Sequence, residues 1–71
     1  MQRNIFIPWC EWQLAGMDNN IAFSSRYLAQ EWLNTAIMED ESLKEQFPFG
    51  FKQLEEEGLA GVIAHLLDPI N

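Results

Sequence analysis

The feature that most limits the fold is the lack of a covalent or metal staple in a chain of only 71 residues. A domain of this size buries roughly 60% of the surface that its unfolded chain exposes, so core packing alone gives marginal stability. Cys10 is the only cysteine and His65 the only histidine, which excludes an intrachain disulfide and argues against a four-ligand zinc site. Stability must therefore come from aromatic packing, self-association or a partner protein, and three tryptophans supply large apolar surfaces for it.

Charge and hydropathy exclude several function classes. Eleven acidic residues against four basic ones give a net charge of −7, so we expect neither direct nucleic-acid binding nor membrane binding. Hydrophobic residues make up 48% of the chain, which is too many for a disordered acidic tail. No apolar run approaches the ~18 residues of a membrane span, and the first residues lack the pattern of a signal peptide. Together with the lone cysteine, these features predict a cytoplasmic protein.

Hydrophobic periodicity predicts a mainly α fold, a compact single domain of three to four short helices over residues 1–71. The best-defined helix spans 25–38, where apolar side chains recur at helical spacing and a serine at its start can cap the first turn. Acidic residues 39–41 are unfavourable at the end of a helix and favourable at the start of another, so a break is expected there. A short helix should follow to about Gln46, because Pro48 disfavours helical geometry at the residue before it.

The N-terminal part of the chain permits two interpretations. Pro8 followed eight residues later by Gly16 fits a two-turn helix, because proline favours the first helical position and glycine the position beyond the end. The same residues alternate as a strand would. The alternative fold is therefore α+β, in which residues 4–14 and 20–23 pair as a small antiparallel sheet against the 25–38 helix.

The C-terminal part is predicted to be helical from Phe51 onward. Its apolar residues recur at helical spacing, although Gly58 and Gly61 interrupt the pattern at a cost of ~1 kcal/mol each relative to alanine. Either one helix continues to Leu67, or two helices meet at Gly58.

The inventory of reactive side chains argues against an enzyme. A thiolate–imidazole pair of Cys10 and His65 is the one catalytic alternative, but nothing in the sequence brings the two residues together. The tryptophans near Cys10 suggest a buried, inert thiol, and the serines have simpler roles as helix caps. The chain has no glycine-rich phosphate loop and no dinucleotide fingerprint. We therefore expect no catalytic residue, no metal and no cofactor.

The acidic charge is concentrated in the C-terminal part of the chain. The first 38 residues hold two arginines and three acids, whereas the remaining 33 hold two lysines and eight acids. Two acidic triplets, 39–41 and 55–57, flank a phenylalanine-rich turn and would lie close together if helices 41–46 and 51–57 formed a hairpin. Carboxylates along a helix can imitate nucleic-acid phosphates, and they attract basic proteins by long-range steering.

The predicted partner-binding surface combines these carboxylates with aromatic side chains that could act as desolvated anchors. It comprises Glu39, Asp40, Glu41, Glu45, Glu55, Glu56, Glu57, Phe49, Trp9 and Trp12.

In size, acidity and lack of catalytic groups, the whole chain resembles small phage-encoded anti-defence inhibitors, such as anti-CRISPR proteins and other DNA mimics. The resemblance is one of composition and rests on no motif, so no functional residue is carried over from it. It implies a non-enzymatic inhibitor whose acidic surface occludes the nucleic-acid-binding surface of a basic protein or nucleoprotein complex. The alternative is a structural or adaptor subunit that forms a homodimer or docks into a larger assembly through Trp9, Trp12 and the 58–61 region.

Overall fold

The fold is α+β, and the prediction of a mainly α domain is wrong. The computed structural model describes residues 3–17 and 21–67. Two strands pair antiparallel, with Arg3 opposite Leu67 and Cys10 opposite Ala60, and the segment between them forms three helices. The elements in chain order are β1 (Arg3–Cys10), α1 (Arg26–Glu39), α2 (Glu41–Gln46), α3 (Phe51–Glu56) and β2 (Ala60–Leu67).

The predicted N-terminal helix does not form, because residues 8–10 end β1 and residues 11–17 have no regular secondary structure. Pro8 lies inside the strand, opposite Val62. The backbone N–H and C=O groups of Phe6 are both hydrogen-bonded to Phe23, at 2.9 Å each. The N–H and C=O groups of the even-numbered residues of β1 therefore point away from β2. Pro8 is one of these positions, and its missing N–H therefore removes no bond from the ladder. A proline on the outer side of an edge strand is thus compatible with the sheet.

The α+β alternative is correct in class but names the wrong principal partner. Its antiparallel contact exists as a single bridge between Phe6 and Phe23. The continuous partner of β1 is β2, whose residues lie fifty or more positions further along the chain than their partners. Asn20, in the predicted second segment, lies outside the described residues.

The C-terminal helix ends at the first of its two glycines. Gly58 has a φ of 74° and donates its N–H to the Glu55 carbonyl at 3.1 Å, while Leu59 donates to the Leu54 carbonyl at 2.8 Å. These two bonds form a Schellman motif, which satisfies the last carbonyls of α3 and turns the chain out of the helix. The prediction of helix beyond Gly58 is wrong, because residues 60–67 find their hydrogen-bond partners on β1.

The middle of the chain confirms the predicted helices. The Ser25 hydroxyl accepts a hydrogen bond from the Leu28 N–H at 3.1 Å and caps α1. The Asp40 carboxylate accepts one from the Leu43 N–H at 3.0 Å and caps α2. Local capping signals were sufficient here because each bond spans three residues.

The core lies between the helices and one face of the sheet. Cys10, Ala60 and Val62 share that face and contact the buried side chains. The opposite face carries Ile7 and Ile63, which do not belong to the core cluster. No described helix is both long and apolar enough to cross a bilayer. The buried core side chains are Leu14, Leu33, Ile37, Leu43, Phe47, Phe51, Leu54 and Ala60.

Candidate partner-binding surface

Six of the seven predicted acidic site residues are exposed. The exception is Asp40, which is half-buried because its carboxylate caps α2. Its role is therefore structural in part. The other six are glutamates, and all of them are exposed. These glutamates are Glu39, Glu41, Glu45, Glu55, Glu56 and Glu57.

The structure does not bring the two acidic triplets together as a helical hairpin. Within the described residues, no Cα atom of α2 lies within 8 Å of one in α3, whereas both short helices contact α1. Triplet 39–41 lies at the junction of α1 and α2, and triplet 55–57 lies at the C-terminal end of α3. The turn between the short helices thus extends them along α1 instead of folding them onto each other.

An open groove lies between α1 and α3. It encloses about 310 Å³. Phe49 lies at its edge with 81% of its surface exposed, the highest exposure among the large hydrophobic residues whose burial the structure describes. The side chains that line the groove are Gln30, Glu31, Asn34, Phe49, Phe51, Lys52 and Glu55.

The turn that presents Phe49 is held by side chains of both helices. The Phe49 N–H donates to Gln53 Oε1 at 3.3 Å, and the Phe51 N–H donates to Asn34 Oδ1 at 3.1 Å. Gly50 has a φ of 73°, and a Cβ there would collide with Asn34 Oδ1, so glycine is required between the two phenylalanines. Phe49 is therefore exposed by a well-defined turn.

The predicted aromatic anchors lie in three different environments. The Trp12 ring packs against the Phe47 ring, with centroids 5.5 Å apart, and is half-buried against the core. Trp9 lies on the outer face of the sheet, where its ring covers Gly61. Only Phe49 lies beside the acidic groove.

The groove includes acceptors and donors that the charge pattern did not single out. Gln30, Glu31 and Asn34 form its α1 wall, and Glu31 also accepts a hydrogen bond from the Tyr27 hydroxyl at 3.3 Å. The sequence placed these residues on the polar side of the helix, but their proximity to Phe49 depends on how α3 packs. No local signal reveals that contact.

The structure separates the two residues of the catalytic alternative. Cys10 pairs with Ala60 and His65 pairs with Ile5, so the two lie on opposite faces of the sheet and five ladder positions apart, about 16 Å along the strands. Burial raises the pKa of the Cys10 thiol. Residues 3–17 and 21–67 contain no group of three or more side chains that could hold a metal ion.

No protein family matches the chain, and neither the curated proteins nor the solved structures contain a match.

Proposed function

We propose that the protein is a non-enzymatic binding protein that docks a basic partner in the α1–α3 groove and thereby covers the partner's nucleic-acid-binding surface. The observation that carries the proposal is the exposure of Phe49 at the edge of a groove whose walls hold Glu31 and Glu55. A fixed, exposed aromatic ring with acidic neighbours suits a partner that offers an apolar pocket surrounded by lysine or arginine.

The apolar part of the interaction comes from Phe49. Buried aromatic anchors dominate the energetics of interfaces, and surrounding polar contacts mainly exclude water. Because the Gly50 turn and the Asn34 hydrogen bond hold the backbone beside the ring, little ordering entropy is lost when a partner binds.

The electrostatic part comes from α3 and the wall of α1. Glu55 lines the groove together with Glu31 of α1, and Glu56 and Glu57 follow it as exposed residues at the end of α3. A chain with a net charge of −7 attracts a basic surface over a distance of about a Debye length. In this proposal the 39–41 triplet adds long-range attraction and makes no contact in the groove.

Inhibition is the expected consequence of such binding. A basic surface that accepts these carboxylates is one that would otherwise accept phosphates, so the two ligands compete. We place this activity in the cytoplasm, which is consistent with a single cysteine that is held as a half-buried thiol.

A fluorescent peptide of alternating arginine and leucine provides a direct test, with an oligolysine peptide of equal charge as the control probe. We expect the Arg–Leu peptide to bind and to be displaced by heparin, and F49A to weaken its binding by about tenfold or more. The oligolysine peptide should bind weakly and respond little to F49A, since it has no apolar group.

Matched charge reversals then locate the surface. The variants E55K/E56K/E57K and E39K/E41K/E45K change the net charge equally, but only the first alters the groove side. We expect the first to abolish peptide binding and the second to slow association moderately. Equal loss in the two variants, or unchanged binding of F49A, would contradict the proposed surface.

A structural or adaptor role is the second candidate, but not through the contact first predicted. That prediction required residues 58–61 to lie on one helix, whereas Gly58 ends α3 and Gly61 lies in β2 beneath Trp9. The observation that favours self-association is the unpaired edge of β2.

A further inference from the structure

The outer edge of β2 has backbone N–H groups that lack an acceptor among the described residues. Ladder hydrogen bonds run through odd-numbered positions, as the Glu11 N–H to Leu59 carbonyl bond of 2.9 Å and the outward exchange of Phe6 with Phe23 both show. The N–H and C=O groups of Val62, Ala64 and Leu66 therefore point away from β1. None of these three N–H groups has a hydrogen-bond acceptor within the part of the chain that the structure describes.

The residues of this strand lack the devices that normally prevent strands from associating, and the charged group that the structure describes on its edge is the Arg26 side chain at the Val62 carbonyl. Edge strands are usually protected by charged side chains, proline or a bulge. Residues 60–67 contain no lysine, arginine, aspartate, glutamate or proline. The outer edge of β1, by contrast, has Pro8 and the bridge to Phe23. Ile63 is 54% exposed and Leu66 is 44% exposed, and both are large apolar side chains of β2.

We infer that β2 pairs antiparallel with β2 of a second copy of this chain, about a two-fold axis at Ala64. Residues 63–66 are exposed and Val62 is half-buried, so the accessible part of the edge is centred on Ala64. The axis places Ala64 opposite its own copy and Val62 opposite Leu66 of the other copy. Three hydrogen-bonded pairs result, with about six backbone hydrogen bonds.

Charge favours a second copy over the basic partner of the groove. β2 has no carboxylate with which a basic strand could pair, whereas two copies of a strand without charged side chains place no like charges opposite each other. Across the axis the apolar side chains of Val62 and Leu66 meet, and Ile63 lies opposite His65. The edge is therefore complementary to itself.

The pairing also enlarges the sheet. A two-stranded ribbon alone is marginal in water, and in one chain the helices that pack on one of its faces stabilise it. The second copy creates a four-stranded sheet in the order β1-β2-β2-β1, with all helices on one face. Arg26 Nη1, which donates to the Val62 carbonyl at 3.2 Å, can remain because a carbonyl oxygen accepts two hydrogen bonds.

Sedimentation equilibrium over a wide range of protein concentration tests the inference. We expect a mass twice the 8.3 kDa of one chain. A64P removes the central outward N–H without removing a bond between β1 and β2, as Pro8 does in β1, and should weaken the dimer by about tenfold or more. A64T keeps the N–H and serves as the matched control, which should dimerise like the unchanged chain.

Hydrogen exchange is measured on the unchanged protein, so the result does not depend on whether a variant folds. In the unchanged protein, the Ala64 and Leu66 amides should become protected as concentration rises, while the Ile63 amide, which faces β1, should be protected throughout. A single-chain mass at the highest concentration, or an A64P dimer as strong as that of A64T, would overturn the inference.

The effects of salt and of F49A distinguish dimerisation through β2 from peptide binding in the groove. Added salt should leave the dimer unchanged or strengthen it, because both copies carry −7, whereas it should weaken peptide binding in the groove. F49A should leave the dimer mass unchanged. Failure of one proposal is therefore visible without failure of the other.

Discussion

Replacing Gly61 with alanine should change the stability of the protein in opposite directions, depending on whether residues 59–67 form a helix or a strand. In the helix that periodicity predicts, the substitution stabilises by about 1 kcal/mol. In the strand, the new Cβ would lie 2.8 Å from Trp9 Nε1, with Trp9 Cε2 at 3.3 Å and Cζ2 at 3.4 Å.

The cost in the strand follows from those distances. Unstrained carbon contacts lie at about 3.5–4.0 Å, so the indole must move by roughly half an ångström or more. Overpacking of this kind costs about 1–3 kcal/mol. A chain of this length has a total stability of only about 4–10 kcal/mol, so the loss is a large fraction of it.

Urea unfolding followed by far-UV circular dichroism measures the effect at one low protein concentration. G61A should lower the midpoint, and G61A combined with W9A should show a coupling of at least about 1 kcal/mol, since removal of the indole relieves the collision. G58A is the matched control: its φ of 74° costs about 1–2 kcal/mol, but no atom lies within 4 Å of a Cβ there, so W9A should not change its effect. A stabilised G61A, or additivity with W9A, would refute the strand and its packing.

Three further predictions concern the core, the caps and the thiol. L33A, at a fully buried position of α1, should lower the free energy of unfolding in urea by about 2–5 kcal/mol. F49A should change it by less than about 0.5 kcal/mol, because the ring is exposed. Similar effects of the two substitutions would contradict the assigned burial. S25A and D40A should each cost about 0.5–2 kcal/mol by loss of the caps, and S24A, which removes the neighbouring hydroxyl, is the control that should cost little. The raised pKa of Cys10 should slow its alkylation by iodoacetamide relative to the urea-unfolded chain at the same pH. Because the folded pKa exceeds the unfolded one, the contribution of this thiol to the free energy of unfolding is complete below the unfolded pKa, near 9.0, and is lost as pH rises above it. C10S should therefore reduce the loss of stability at alkaline pH.

Proximity in sequence decided which parts of the fold could be predicted. The caps of Ser25 and Asp40, the break between α1 and α2 and the start of α3 at Phe51 all depend on bonds that span a few residues, and the structure confirms them. Gly58 was considered as a helix end, and the Schellman motif confirms that interpretation. These features follow from local backbone chemistry.

Residues 8–10 of β1 and the whole of β2 were mistaken for helix because the evidence for these strands is non-local. Pro8 is tolerated in β1 only because its backbone points away from β2, and Gly61 is needed only because Trp9 lies on it. Each reason involves a residue more than fifty positions away in the chain. Apolar spacing in a short segment is compatible with either structure until the partner strand is known.

The same distinction between local and non-local evidence applies to the candidate site. The sequence alone determined the acidity, its concentration after residue 38, and the phenylalanine-rich turn. Only the tertiary structure decided that α2 and α3 both pack on α1 without forming a hairpin, which leaves Phe49 beside the α1 wall, while Trp12 packs on Phe47 and Trp9 on Gly61. The physical reason is that charge and side-chain type belong to the residues themselves, whereas exposure and neighbourhood belong to the packing of distant segments.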